Sequence, residues 1–182
     1  MGADRIKIML TGTPGCGKTT VIRRLLERLE RPATGFFTAE IRQGEQGGRG
    51  GRGGRRVGFA VESLDGRQAV MSHVEIGGGR RVGRYGVDVA AFEAVILPAL
   101  RPPDAATLIV VDEIGKMECF SDAFIDRVRE LLAGPNPLLG TVPRAGGGFP
   151  AEVRRRGDVR LIEVTHANRE SLPRELLELF GK

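Results

Sequence analysis

The 182-residue chain is long enough for one α/β domain with a full core and too short for two domains of ordinary size. Hydrophobic residues make up 41% of the chain and charged residues 28%, which excludes general disorder, and no apolar stretch is long enough to span a membrane. The net charge of +5 comes mostly from residues 41–56, with five arginines and one glutamate, so it does not indicate a generally basic domain.

The first half of the chain predicts one strand and one helix, followed by three strands. The strands are short runs rich in apolar residues, and the helix has apolar residues three and four positions apart. Because the later strands flank glycine-rich turns, we expect residues 36–85 to form an antiparallel insertion in a larger sheet. The predicted elements are a strand at 5–10, a helix at 18–29, and strands at 35–42, 57–62 and 67–72.

The second half predicts helices that alternate with strands. Its most apolar run, 107–111, is typical of a strand buried on both faces, and Ser121 has the position of a helix N-cap. Alternating strands and helices predict an α/β fold of three layers with a mostly parallel central sheet. The predicted elements are a helix at 88–100 that frays near Pro98, a strand at 107–111, a helix after Ser121, strands at 138–142 and 159–164, and a helix at 171–180.

A glycine-rich loop lies between the first predicted strand and the first predicted helix. Its glycines let successive backbone N–H groups face phosphate oxygens, and the helix N-terminus adds its partial positive charge. Lys18 suits the β- and γ-phosphates, and the Thr19 hydroxyl suits Mg²⁺. We therefore predict a site for a nucleoside triphosphate and its magnesium ion, formed by Gly12, Thr13, Pro14, Gly15, Cys16, Gly17, Lys18, Thr19 and Thr20.

Two acidic residues follow the apolar strand of the second half. Asp112 ends that strand at the edge where α/β sheets bind ligands, and we predict that Asp112 and Thr19 hold the magnesium ion. Glu113 comes next and is placed to orient an attacking water, so Lys18 and Glu113 are the predicted catalytic residues. The string Asp-Glu-Ile-Gly also fits the Asp-x-x-Gly pattern of regulatory GTPases. A GTP switch is disfavoured because the guanine-reading string Asn-Lys-x-Asp does not occur.

The string Val111–Glu118, read together with Gly12–Thr19, resembles the small nucleoside-triphosphatase family that includes the cancer-related nucleoside-triphosphatase and its thermophile relatives. The resemblance covers about residues 6–179 and implies a RecA-like P-loop fold. It also implies Mg²⁺-dependent hydrolysis of ATP, GTP, CTP and UTP to diphosphates and phosphate, with loose base selectivity. Further matching segments are 35–42, 82–87, 92–93, 139–141 and 165–169.

Four residues of the matching segments have roles that the sequence leaves open. Asn168 and Arg169 precede the last predicted helix, where they either contact the nucleotide or cap the helix; we include both among the predicted nucleotide-binding residues. Lys116 either offsets the charge of the γ-phosphate or forms a packing salt bridge. Glu118 belongs to the signature, and no role is assigned to it.

The predicted insertion contains the other open positions. Tyr85, the only tyrosine, is expected to pack in the core or at a hinge in preference to stacking on a base. Glu40 and Arg42 share one face of a strand, which favours an ion pair over a contact with substrate. Residues 43–56 replace the short hairpin turn of the family with a Gly/Arg-rich segment that has too little apolar surface to order itself, so we predict a flexible loop.

The preferred interpretation is a single-domain nucleoside-triphosphatase, residues 1–182, that uses Mg²⁺ and does not contact membranes. Cys16 in the phosphate loop must stay reduced, which predicts a cytoplasmic location. One alternative is a small P-loop nucleoside or nucleotide kinase, disfavoured because no Arg-rich lid helix follows the acidic strand. Another is an RNA-associated protein acting through the Gly/Arg loop, disfavoured because that loop lacks stacking aromatics. No arginine finger is identifiable, which predicts slow turnover, and the sequence leaves the oligomeric state open.

Overall fold

A computed structural model describes residues 5–44 and 54–181. Strands and helices alternate along these residues, except that the segment from residue 33 to residue 87 contains strands alone. The strands are β1 (Lys7–Thr11), β2 (Ala33–Gln43), β3 (Arg55–Ser63), β4 (Gln68–His73), β5 (Arg81–Val82), β6 (Tyr85–Val87), β7 (Leu108–Asp112), β8 (Leu138–Thr141) and β9 (Arg160–Glu163). The helices are α1 (Lys18–Leu26), α2 (Val89–Ala99), α3 (Asp122–Ala133), α4 (Phe149–Arg155) and α5 (Leu172–Phe180), with a 3₁₀ turn at Glu118–Phe120.

The nine described strands form one sheet that is paired differently in its two halves. Their order is β5-β6-β4-β3-β2-β7-β8-β1-β9. From β2 to β9 neighbouring strands are parallel, and we call these five strands the parallel half. From β2 to β5 they are antiparallel, and we call residues 38–43 and 54–87 the sheet extension. The predicted α/β fold with parallel central strands and added antiparallel strands is confirmed.

Helices cover both faces of the parallel half. On one face, Phe36 of β2 packs edge-on against Phe92 of α2 and Phe124 of α3, with ring centroids 5.8 and 5.9 Å apart, and α4 joins the same apolar cluster. On the other face, Leu25 of α1 and Leu176 of α5 join a second buried cluster. The three layers therefore exist because each face of the sheet has its own apolar core.

The helix boundaries show where local signals were sufficient. Ser121 caps α3 as predicted, since its Oγ accepts a hydrogen bond of 2.9 Å from the backbone N–H of Phe124. Helix α1 ends at Leu26, three residues before the predicted end. Helix α4 was not predicted, because seven residues are too few to display a helical period. No described helix is both long enough and apolar enough to cross a membrane.

The predicted Gly/Arg loop falls largely outside the described residues. β2 ends at Gln43, the described residues continue to Gly44, and the chain is described again from Gly54, which leads into β3. The flexible loop predicted at 43–56 is too long at both ends, because Gln43 belongs to β2 and Arg55 and Arg56 to β3, and these strands pair with each other. For residues 45–53 the flexibility stays a prediction.

Candidate active site

The glycine-rich loop joins the carboxyl end of β1 to the start of α1. Gly12 has a φ of 146°, and a Cβ there would stand 2.7 Å from the carbonyl oxygen of Val164, so a larger residue does not fit. Gly17, at the N-cap of α1, has a φ of 108° in the left-handed region. Cys16 contributes only its backbone to the loop, since its side chain is buried in the core below it. The strand, loop and helix are thus in the predicted order.

Lys18 and Thr19 begin α1 and point toward the edge of the parallel half. The Lys18 Nζ donates a long hydrogen bond of 3.4 Å to the carbonyl oxygen of Gly12. The Thr19 hydroxyl donates to Oδ2 of Asp112 at 2.5 Å. The two residues predicted to hold a metal ion, Thr19 and Asp112, are therefore in direct contact although 93 positions separate them along the chain.

Asp112 is the most deeply buried acid of the site, with 2% of its surface exposed. Its second oxygen, Oδ1, accepts a hydrogen bond of 2.6 Å from the hydroxyl of Thr141. Burial raises the pKa of Asp112 above its ordinary value, and the two hydroxyl donors and the charge of Lys18 oppose that rise. Sequence reasoning missed Thr141; the available signal was a hydroxyl residue one position before the end of the predicted strand at 138–142.

A second pair of acids lies directly beyond Asp112. A Cβ on Gly115 would stand 2.8 Å from Oε1 of Glu113 and 2.6 Å from Oε2 of Glu118, so both carboxyl groups approach the same point. Burial and the charge of Asp112 raise the pKa of Glu113. Burial, followed by the charge of Glu113, raises the pKa of Glu118 to about 8. Glu118, whose role the sequence left open, is thus part of the site.

These groups line one cleft of about 740 Å³, within the usual size range of ligand sites. Its walls come from the glycine-rich loop, the segment after β7, the segment after β8 and the sheet extension. Lys116 lies exposed on this wall and forms no ion pair with any residue in the described ranges, so the packing salt bridge is not observed.

Asn168 and Arg169 lie in the turn between β9 and α5, outside the lining of the cleft. The Asn168 side chain closes that turn, accepting from the backbone N–H of Thr165 at 2.8 Å and donating to the carbonyl oxygen of Glu163 at 2.9 Å. Arg169 lies against the glycine-rich loop, since its Cδ is 3.7 Å from the point where a Cβ of Gly17 would stand. Arg169 therefore lies beside the glycine-rich loop, whereas the Asn168 side chain stabilises the turn.

The two predictions for the sheet extension agree with the structure. Tyr85 is buried and packs edge-on against Phe59 with ring centroids 5.5 Å apart, which agrees with the packing role. Arg42 pairs with Glu40 at 2.5 Å as expected, and Glu40 also lines the cleft. The ion pair and proximity to a ligand are therefore compatible.

Comparison with known proteins identifies the family of the chain. The sequence model of the family described as NTPase matches residues 7–177. The cancer-related nucleoside-triphosphatase of Homo sapiens is 42% identical, over 91% of this chain and 91% of its own length. The chain belongs to this NTPase family. Nucleoside-triphosphatase THEP1 of Aquifex aeolicus (strain VF5) is 36% identical, over 97% of this chain and 100% of its own length.

Solved structures of NTPase family members have the same fold. The crystal structure of THEP1 from the hyperthermophile Aquifex aeolicus superposes with a TM-score of 0.84 at 34% identity, covering 97% of this chain and 100% of that one. The solution structure of a human cancer-related nucleoside triphosphatase gives a TM-score of 0.78 at 40% identity, over 95% and 96% of the two chains. The predicted family, P-loop fold and enzyme class are confirmed.

Proposed function

We propose that this NTPase family member hydrolyses nucleoside triphosphates to nucleoside diphosphate and phosphate in a Mg²⁺-dependent reaction with loose base selectivity. The observation that carries the proposal is the contact between Thr19 of the phosphate loop and the buried Asp112, which is followed directly by Glu113. This contact joins a triphosphate-binding loop to two acids at the same edge of the sheet.

The phosphate chain is proposed to lie on the glycine-rich loop. Backbone N–H groups of the glycine-rich loop and the positive end of α1 provide donors for the phosphate oxygens, apart from Pro14, which has no N–H, and Cys16, whose N–H donates to the carbonyl oxygen of Thr13 at 3.2 Å. The Lys18 ammonium group, whose one hydrogen bond in the described residues is the 3.4 Å bond to Gly12, can turn toward the β- and γ-phosphates at small cost.

The donor set at Thr19 and Asp112 fits a magnesium ion. Mg²⁺ prefers oxygen ligands and is commonly held by one or two side chains together with substrate phosphates and water. A hydroxyl and a carboxylate oxygen only 2.5 Å apart provide such ligands, and Thr141 fixes the orientation of the carboxylate from its other side. Mg²⁺, when bound there, neutralises charge on the β- and γ-phosphate oxygens.

Glu113 is proposed to orient the attacking water and to accept its proton. The water oxygen forms a bond to the γ-phosphorus as the bond between that phosphorus and the β,γ-bridging oxygen breaks, and the diphosphate leaves. Burial and the charge of Asp112 raise the pKa of Glu113, which makes it a stronger base than an exposed glutamate. Lys18 supplies positive charge where negative charge develops on the phosphates.

Loose base selectivity is supported by the turn that follows β9. Both ends of the Asn168 amide are bonded within that turn, which holds the side chain against the backbone and outside the lining of the cleft. Arg169 is proposed to contact the nucleotide next to Gly17 through its guanidinium group. A planar cation stacks on any base, and such a contact does not discriminate among them.

We also propose a cytoplasmic location, because both cysteines are free thiols and one of them, Cys16, belongs to the phosphate loop. A disulfide to Cys16 would draw the loop away from the core in which its sulfur is buried.

The function is tested by measuring phosphate release from ATP, GTP, CTP and UTP in parallel, with Mg²⁺ or with a chelator and without any acceptor. We expect release from all four in Mg²⁺ and none with the chelator. Formation of nucleoside diphosphate only after an acceptor is added, without release of free phosphate, would replace the hydrolase by a kinase. Release from a single nucleotide would contradict loose selectivity.

A further inference from the structure

The cleft extends past the phosphate loop onto the sheet extension, and hydrolysis by water needs nothing from that end. We call this end the extension compartment; its walls are Thr38, Glu40, Arg56, Phe59, Met71 and Val82. It is continuous with the space in front of Lys18 and Glu113. Any molecule held there would therefore lie beside the triphosphate.

The two charged groups of the compartment, Glu40 and Arg56, belong to a hydrogen-bonded cluster whose other members, Arg42, Arg84 and Tyr85, lie outside the lining of the cleft. Oε1 of Glu40 accepts from Nη1 of Arg56 at 2.7 Å, and Oε2 accepts from Arg42. The Tyr85 hydroxyl accepts from Nε of Arg56 at 3.2 Å and from Arg84 at 3.1 Å. Three guanidinium groups thus share one carboxylate and one phenol. The cluster keeps two positive charges that none of its own members neutralises.

The Arg56 guanidinium is held in place by two hydrogen bonds, but not all of its hydrogen-bond donors are used. Its Nε and Nη1 are committed to Tyr85 and Glu40, whereas Nη2 has no acceptor among the residues described. The side chain remains 43% exposed and faces the compartment. A guanidinium fixed by two hydrogen bonds, with donors still unused, is preorganised to bind an anion.

The aromatic ring nearest to Arg56 is not available for stacking. The Arg56 guanidinium lies over Phe59, 5.0 Å from the ring centroid, and covers that face. The compartment therefore recognises charge through Arg56. It offers the partly exposed apolar side chain of Val82 to the rest of a ligand, while Met71 lies buried beneath this surface.

We propose that the extension compartment binds a small organic phosphomonoester beside the nucleoside triphosphate. A phosphomonoester carries close to two negative charges near neutral pH, and it is attracted by the unused donors of Arg56 and by the net positive charge of the cluster around it. Its oxygens suit the planar donor pattern of Arg56. This inference rests on the proposed function, because it takes the phosphate loop to be occupied by the triphosphate.

The test is calorimetric titration of the full chain, saturated with Mg²⁺ and a non-hydrolysable ATP analogue so that the phosphate loop is filled. The probes are ribose 5-phosphate and AMP, with ribose and adenosine as their counterparts without phosphate and succinate as a dianion without phosphorus. We expect binding of at least one phosphomonoester and none of the uncharged probes. Ribose 5-phosphate and AMP distinguish a sugar phosphate from a nucleotide as the source.

Two variants locate the bound phosphate. Arg56→Ala is expected to weaken phosphomonoester binding roughly 10- to 100-fold, as for loss of a charged hydrogen bond. Tyr85→Phe removes one of the two groups that orient Arg56 and is expected to cause a smaller loss. Arg174→Ala is the matched control, since it removes an arginine that is 79% exposed on α5, outside the cleft, and is expected to change nothing.

The titrations separate this inference from the function on which it rests. If the ATP analogue itself does not bind to the wild-type chain, the proposed function fails. If the analogue binds but neither phosphomonoester does, or succinate binds equally well, this inference is overturned. Phosphomonoester binding that both Arg56→Ala and Tyr85→Phe leave unchanged would also overturn it.

Discussion

The parallel half and the sheet extension of this NTPase family member use opposite environments for their charged groups. In the parallel half, β1, β7 and β8 are buried at every position, and Asp112 is 2% exposed. In the extension, Glu40 and Arg56 keep 38% and 43% of their side-chain surface in contact with solvent. Burial strengthens the electrostatic interactions around Asp112, whereas exposure leaves Glu40 and Arg56 accessible to a ligand.

This contrast explains why the proposed chemistry is assigned to one region and the additional ligand to the other. A base and a metal-binding carboxylate act best when they are held rigidly and shielded from water. An anion-binding arginine must remain accessible. β2 belongs to both regions, since it pairs in parallel with β7 and antiparallel with β3.

The largest expected effect is at the junction of the two regions. Gly35 of β2 has a φ of 128°, and a Cβ there would stand 1.9 Å from the carbonyl oxygen of Val110 in β7. Gly35→Ala is therefore expected to lower the free energy of unfolding by more than about 4 kcal/mol, measured by urea denaturation. Gly66→Ala is the control, because Gly66 has a φ of 92° but open space around it. Equal losses in both variants would contradict a decisive role for the clash.

Glu113→Gln tests the buried chemistry of the parallel half. The amide keeps the shape of the side chain but cannot accept the water proton, so kcat is expected to fall roughly 10²- to 10⁴-fold while nucleotide binding persists. Phosphate release and nucleotide titration measure the two effects separately. Glu178→Gln, at an exposed position on α5, is the matched control. Retained activity in Glu113→Gln would transfer the role to another group, with Glu118 the nearest acid.

Substitution of Glu118 tests how much stability is lost when acidic side chains are buried close together. Burial, followed by the charge of Glu113, raises its pKa from the ordinary value of 4.5 to about 8. The folded state therefore binds more protons than the unfolded state between these values. The stability from Glu118 is complete below pH 4.5 and is lost as the pH rises through 8. Glu118→Gln is expected to flatten this decline in urea denaturation across that range; an unchanged profile would show that Glu118 is not its source.

Two threonines in neighbouring buried strands differ in whether the side-chain hydroxyl forms a hydrogen bond. Thr141 donates to Asp112, whereas the Thr11 hydroxyl is buried without a hydrogen-bond partner among the described residues. Thr141→Val is expected to cost about 1–3 kcal/mol of unfolding free energy, because Asp112 loses a donor. Thr11→Val is expected to be neutral or stabilising. Thermal denaturation measures the change in stability of both variants. A larger loss in Thr11→Val than in Thr141→Val would contradict the prediction.

The smallest effect is expected in the extension. Burial alone would raise the pKa of Glu40, but hydrogen bonds from Arg56 and Arg42 bring it below its ordinary value of 4.5. Glu40→Gln is expected to cost less than about 1 kcal/mol at neutral pH, since the pairs are partly exposed. The difference from wild type should vanish as the pH falls through the lowered pKa. If the difference in unfolding free energy persists at acidic pH, it arises from packing of the Glu40 side chain and not from its ion pairs.

Local sequence signals were sufficient for the phosphate loop and for most elements of the parallel half. The glycine spacing of the phosphate loop lies within eight residues that also include Lys18 and Thr19. The strand before Asp112 is recognisable as a continuous apolar run because both faces of β7 are buried. The N-cap at Ser121 is likewise a local signal. Helix α4 was missed because so short a helix depends on packing of Phe149 and Val153 against the core, not on its own period.

The sequence by itself determined that a glycine-rich P-loop and an acidic strand end exist in this chain, because both are short patterns with a fixed spacing. Only the tertiary structure decided which distant groups join them. Placing β8 between β1 and β7 brings the Thr141 hydroxyl to Asp112, 29 positions away. Pairing the extension with β2 brings Arg56 into the cleft of Lys18. Such contacts depend on strand order and register, which pairing between distant segments sets and local composition does not.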